Sequence, residues 1–381
     1  MDLSLYIHIP FCVQKCLYCD FASTADSTVT HDEYVSAVIR EMEIRSLALP
    51  EPAHAETLYI GGGTPSLLAP LLVDVLVSAA RRHYSLAANA EVTLEANPGT
   101  VTGESLAGYR SAGVNRLSMG VQSLDDGMLS MLGRVHTAGQ AREAVALARS
   151  AGFGNVGIDL IHGLPGQTLP GWEDTLSQAV ALAPEHISAY GLSIEEGTPF
   201  HAMLRKGEID LPDEESAVRM LEMTGELLSA AGYEHYEIAN FARPGFRSRH
   251  NQCYWKRGNY IGFGAAAHSF LRRPGYGRRW ENPADMRDYC SSAESGEMPA
   301  VGEQVLTRED ARAESLFLGL RLLEGVSPAR IGSEFGEPLS EAFPGVLERL
   351  AADGLVEYEG SRLRLTRRGL LLANRVFAAF V

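Results

Sequence analysis

The chain has 381 residues, 45% of them hydrophobic and 21% charged, which is ordinary for a globular protein and long enough for one barrel-sized domain plus a smaller appendage. Thirty-three lysines and arginines stand against 48 aspartates and glutamates, a net charge of −15, so the chain has no electrostatic footprint for a phosphate backbone and no nucleic-acid partner is expected. No apolar run reaches the roughly 18 residues a transmembrane segment needs. The N-terminus reads as a strand rather than a signal peptide, and five cysteines, three of them between positions 12 and 19, point to metal ligation in a reducing, cytoplasmic compartment.

Short apolar runs alternate with longer amphipathic stretches over the first two-thirds of the chain. The expected strands are Leu3–Ile9, Thr57–Ile60, Glu91–Glu95, Arg116–Met119, Val156–Ile161 and His186–Tyr190. Helical patterns lie between and after them, among them Asp32–Leu49, Leu67–His83, Ala138–Ala151, Trp172–Leu182 and Glu214–Ala231. This alternation predicts an α/β fold with a parallel sheet and right-handed crossovers. Six units rather than eight predict a partial, incompletely closed (β/α)6 TIM-like barrel over residues 1–235. Residues 236–300, rich in aromatics, Arg, Gly and Pro, show no clean period and read as a connector. Residues 301–381 read as a small helical domain. There, Ala329–Phe335 and Glu341–Asp353 are expected as helices, and Leu355–Tyr358 with Arg362–Leu365 as a hairpin, in a winged-helix-like order. On an acidic chain, such a module is read as a cap on the open barrel rather than a DNA reader.

Cys12, Cys16 and Cys19 follow the first strand directly. Three closely spaced thiolates can hold three irons of a cubane cluster and leave the fourth iron open to a small molecule. A zinc site needs a fourth Cys or His, and the nearby His8 lies on the strand. The C-x3-C-x2-C loop at a first strand end resembles the signature of the radical S-adenosylmethionine (SAM) superfamily. The resemblance implies a [4Fe–4S] cluster, SAM on the open iron, and an electron donor to the cluster.

A cofactor site on a parallel barrel gathers at strand C-terminal ends, and several residues fall there. Gly61, Gly62 and Gly63, before Thr64 and Pro65, allow close backbone approach to a ligand. Glu95 ends the third strand and Gln122 the fourth. Asp159 sits in the otherwise apolar fifth strand, where a lone acid needs a partner or a function, and Arg134 is the available partner. Together with the motifs Tyr6–Cys12, Val121–Leu124, Gly133–His136 and Gly163–Gln167, these resemble the branch of oxygen-independent coproporphyrinogen III oxidases and their relatives. The resemblance covers nearly the whole chain. It implies SAM contacts at Tyr6, Gly62, Gly63, Thr64, Glu95, Gln122, Arg134 and Asp159.

Within that branch, the oxidases carry a further cysteine two positions past the third and an extension before the first strand. Here the position holds Phe21, and the strand starts at Leu3. His250, Asn251, Tyr254 and Trp255 match the H-N-x-x-Y-W motif of HemW-type haem chaperones. That match implies haem as cargo at His250, Tyr254 and Trp255, and delivery to an acceptor protein of unknown identity. Imidazole can ligate iron, the two rings offer flat apolar area, and Arg247, Arg249, Lys256 and Arg257 could meet the propionates. Cys253, Cys290 and His268 read as structural. Oxidation of coproporphyrinogen III and another radical SAM reaction, such as methyl transfer, stay open as alternatives.

Overall fold

The computed structural model describes residues 1–381. Its central strands are β1 (Asp2–Ile9), β2 (His54–Gly62), β3 (Glu91–Ala96), β4 (Arg116–Gln122), β5 (Val156–His162) and β6 (His186–Gly191). Each pairs in parallel with the next, with Leu5 opposite Leu58, Leu58 opposite Val92 and Asp159 opposite Ser188. The six strand–helix units are those expected from the sequence, and β6 does not return to β1, so the barrel is open.

The two faces of this sheet differ because side chains alternate along a strand. Leu3, Leu5, Ile7 and Ile9 are buried in one core with Val35, Val38 and Met42 of the first outer helix. The concave face carries polar groups instead: Tyr6 and His8, then Tyr59, Glu95, Arg116, Ser118, Asp159 and Ser188. A polar interior of this kind persists only when its groups bond one another or a ligand.

The sheet continues past the barrel on both sides. β7 (Glu234–His235) and β8 (Asn240–Ala242) pair antiparallel, and β8 pairs antiparallel with β6. On the other side β9 (Tyr260–Phe263) lies parallel to β1, followed antiparallel by β10 (His268–Leu271), β11 (Arg278–Glu281) and β12 (Val301–Val305). Twelve strands thus form one sheet. Most of these added strands have four residues or fewer, too few for a period to show, which is why residues 236–300 read as a connector with no clean period. Buried Glu41 ties this stretch to the first outer helix. It pairs with Arg45 at 2.6 Å, accepts from Tyr289 at 2.7 Å and from the Gly264 N–H at 3.0 Å, and its partner Arg45 donates to Asn282 at 2.9 Å.

The C-terminal part has its own small core around Leu316, Ile331, Leu350 and Leu363. Its hairpin, Val356–Glu359 with Arg362–Leu365, lies where it was expected. The helix expected over Glu341–Asp353 is instead two pieces, Leu339–Ala342 and Val346–Ala352. Pro344 cannot continue a helix, and Gly345 sits at φ +71°, a left-handed conformation that ends one.

Candidate cofactor site and an adjoining aromatic cavity

The loop after β1 is closed on itself and pinned to the barrel. Cys12 N–H donates to Thr24 O at 2.9 Å and Thr24 N–H to Pro10 O at 2.8 Å. Leu17 N–H reaches Leu132 O at 3.1 Å, bringing the loop against Gly133 and Arg134. His8 holds the loop's return through Nε2, 2.7 Å from Ala22 O, and its Nδ1 lies 3.0 Å from the Tyr6 hydroxyl. With both ring nitrogens engaged, His8 is no fourth ligand for zinc.

Cys12, Cys16 and Cys19 all line a cavity of about 380 Å³ at the C-terminal edge of the barrel. Arg134 donates to Cys16 Sγ at 3.3 Å, and the Thr64 hydroxyl donates to Cys12 Sγ at 3.6 Å. Burial pushes the Cys19 thiol up, and the thiols of Cys16 and Cys12 push the same way, while the Phe21 backbone and Lys15 oppose them. No three His, Cys, Asp or Glu groups close around a single-ion position. The cavity's lining holds three cysteines and no histidine, one ligand short of tetrahedral zinc and the number that a cubane with one open iron needs.

The same cavity is lined by Gly62, Gly63, Thr64, Glu95, Gln122, Arg134 and Asp159. A Cβ on Gly63 would meet Phe11 O at 2.7 Å and Cys12 Sγ at 2.9 Å, so only glycine fits beside the cysteine loop. Gln122 has φ +63°, at an irregularity in the β4–β5 register. A Cβ on Gly120 would meet Gln122 Nε2 at 2.9 Å and Arg134 Nη2 at 3.3 Å. Gly120 thus makes room for both polar side chains. Tyr6, the remaining residue of the expected SAM set, lies apart. It lines a second cavity, with its ring 6.2 Å from that of Tyr59 at the border of the first.

Glu95 accepts from the Tyr59 hydroxyl at 2.7 Å and from the Gly62 N–H at 3.0 Å. Its carboxyl is nevertheless pushed up to about 7, by burial first, with the charge of Asp159 adding to it and the Tyr59 hydrogen bond opposing. Burial also raises Asp159, against hydrogen bonds from Ser188 and Ser118, the latter at 3.2 Å. Arg134, the partner anticipated for Asp159, instead donates to Cys16 and, at 2.7 Å, to Gly120 O. The cation whose charge weighs most on Asp159 is Arg116, buried on β4. Tyr59, Arg116, Ser118, Ser188 and Tyr190 were not singled out from the sequence. Their signal was there: polar residues at alternate positions of otherwise apolar strands.

The short helix Arg249–Trp255 sits against β2 and β3, its first two N–H groups held by the Glu91 carboxylate at 3.0 Å each. His250, only 1% exposed, points into the molecule. Its Nδ1 is 2.7 Å from Thr57 Oγ1, its Nε2 is 2.8 Å from the Tyr254 hydroxyl, and its ring stacks on Tyr59 at 5.0 Å. As placed, it has no free ring nitrogen. Asn251 reaches the first cavity. Tyr254 and Trp255 line the second, of about 450 Å³, together with Tyr6, Tyr260, Phe270 and His268. Phe317 and Leu318 of the C-terminal part also line it.

The radical SAM superfamily model matches residues 6–179, and the HemN C-terminal domain model matches residues 306–372. The haem chaperone HemW of Bacillus subtilis is 38% identical over 379 residues, 99% of each chain. HemW of Escherichia coli is 44% identical over 273 residues, 71% of each chain. Among solved structures, the coproporphyrinogen III oxidase HemN of Escherichia coli, described as a radical SAM enzyme, superimposes with a TM-score of 0.85 at 25% identity, covering 100% of this chain and 90% of that one. By full-length likeness, and with three cysteines at the mouth of an open parallel barrel, the chain belongs to the HemW family of the radical SAM superfamily, whose cofactors are a [4Fe–4S] cluster and SAM.

Proposed function

We propose that this protein binds haem and delivers it to an acceptor protein, holding a [4Fe–4S] cluster on Cys12, Cys16 and Cys19 with SAM beside it. The observation that carries the reading is the second cavity. Tyr254 and Trp255 of the HemW-type motif line it together with Tyr260 and Phe270, an aromatic lining of the kind that suits a porphyrin. Phe21, 58% exposed beside the cysteine loop, occupies the position of the oxidases' additional cysteine and argues against coproporphyrinogen oxidation.

The chain's own residues divide the work. The cysteine loop presents three thiols, and Arg134 and Thr64 steady two of them. When bound, the cluster and SAM supply one-electron chemistry at an iron without a protein ligand. Glu95 keeps a spare lone pair on each oxygen for ribose hydroxyls. Gly62 and Gly63 let the ligand lie against backbone, and Arg134 meets a carboxylate. An electron donor is part of this proposal. So is a cytoplasmic site of action, which the use of three cysteines as cluster ligands rather than in disulfides supports; no helix is long and apolar enough to cross a membrane.

The test is an anaerobic titration of the reconstituted protein with haem, followed by mixing with an apo-haem protein, beside incubation with coproporphyrinogen III, SAM and a reductant. One haem per chain, passed to the acceptor, is the expected outcome. Formation of protoporphyrinogen IX would replace this reading with the oxidase one.

A further inference from the structure

We infer that haem iron is ligated in the second cavity by His268, with His250 serving to orient the motif's aromatic wall. The inference rests on the haem-binding reading above and names the ligand and the place. Two imidazoles line this cavity, His8 and His268. His8 has both nitrogens committed, at 2.7 and 3.0 Å. His250, behind the wall, is committed in the same way, to Thr57 and Tyr254. His268 differs. It opens β10 with its side chain 66% exposed, and its Nε2 lies 3.4 Å from Oε2 of Glu281, its register partner on β11. A carboxylate on one ring nitrogen is the usual outer support of a metal-binding histidine, fixing the tautomer and leaving the other nitrogen for the metal.

The surroundings suit a tetrapyrrole. Alternation along β10 puts Phe270 on the same face as His268, and Tyr260 is the register partner of Phe270. Tyr254 meets Tyr260 edge-on at 4.7 Å, so the rings form a stepped wall around one space. The charge complements haem as well. Arg257 and Arg279 share the single carboxylate of Glu314, Arg257 at 3.0 Å, so the lining itself carries two cations to one carboxylate, with the Glu281 carboxylate behind His268. Arg279 is 43% exposed and positioned to meet a propionate. The open rim beside His268 fits a cargo that must leave again. Tyr6 lines this cavity and Tyr59 the cofactor site, with their rings 6.2 Å apart.

The experiment uses the reconstituted holoprotein with its cluster oxidised, titrated with ferric haem and followed by the Soret band and ferric-haem electron paramagnetic resonance. His268→Ala should weaken haem binding about tenfold or more and abolish the histidine-ligated signature. His268→Cys should replace that signature with a thiolate-ligated one, a change that a folding defect does not produce. His250→Gln should keep the histidine-ligated signature. Unchanged spectra and affinity in both His268 variants, with wild type binding haem, would overturn this inference and leave the proposed function standing. A wild-type protein that binds no haem would overturn both.

Discussion

The Nε2 of His250 lies 2.8 Å from the hydroxyl of Tyr254, one helical turn further on, while its Nδ1 lies 2.7 Å from Thr57 Oγ1 on β2. One buried imidazole therefore ties the barrel wall to the ring that lines the aromatic cavity. Removing it strands two hydroxyls and opens space beside Tyr59. We expect His250→Ala to destabilise the protein by about 3 kcal/mol in denaturant unfolding, combining lost packing with unsatisfied buried partners.

The same residue gives a pH signature. Burial, with the charge of Arg116 adding to it, lowers its pKa from 6.5 to about 3. The unfolded chain takes up this proton near pH 6.5 and the folded chain does not, so the contribution is present above pH 6.5 and lost as pH falls toward about 3. The stability gap between wild type and His250→Gln should shrink by about 2 kcal/mol from pH 7 to pH 5. Comparing the two proteins cancels the other buried groups, including His136 and His162, each lowered to about 4. A gap that stays constant across that range would mean that His250 is protonated in the fold.

Glu95 should make SAM binding pH-dependent in the direction of its charge. On the proposed reading ribose hydroxyls would donate to the ionised carboxylate, and burial pushes the carboxyl of the free site up to about 7. Affinity for SAM, read by equilibrium dialysis under anaerobic conditions, should fall about tenfold from pH 8 to pH 6. Glu95→Gln should bind more weakly at pH 8 and lose that dependence.

Arg134 donates to Cys16 Sγ at 3.3 Å, and hydrogen bonds to sulfur are among the determinants of cluster potential. A guanidinium there favours the more negative, reduced cluster. Arg134→Ala should lower the midpoint potential by roughly 40 mV, the equivalent of about 1 kcal/mol for one electron. Redox titration of the reconstituted variant checks this, and an unchanged or raised midpoint contradicts it.

Cys12→Ser, Cys16→Ser and Cys19→Ser should each lose the cluster, measured against the roughly four irons per chain that a cubane requires. Cys253→Ser and Cys290→Ser should keep it. Cys253 donates to Asn259 O at 3.4 Å, and Cys290 is buried in the barrel core with its thiol pushed up to about 11 by burial.

What could be read in the sequence was local. Three cysteines after a strand, six strand–helix units and the hairpin at 356–365 each lie within one stretch of chain, where period and spacing carry the information. The tertiary structure decided what depends on distant partners. Arg134 was at hand for Asp159 by strand order, yet the fold brings it to Cys16, 118 residues away in sequence. His250 reads in its motif as offering an imidazole nitrogen to haem iron, and the fold brings Thr57, 193 residues earlier, to one of its nitrogens. The strands beyond the barrel, too short for a period, exist because β1 offers an edge to β9. A side chain's type and strand face follow from neighbours in the chain, but whether its polar atoms are left over for a ligand is settled only by what the fold packs against them.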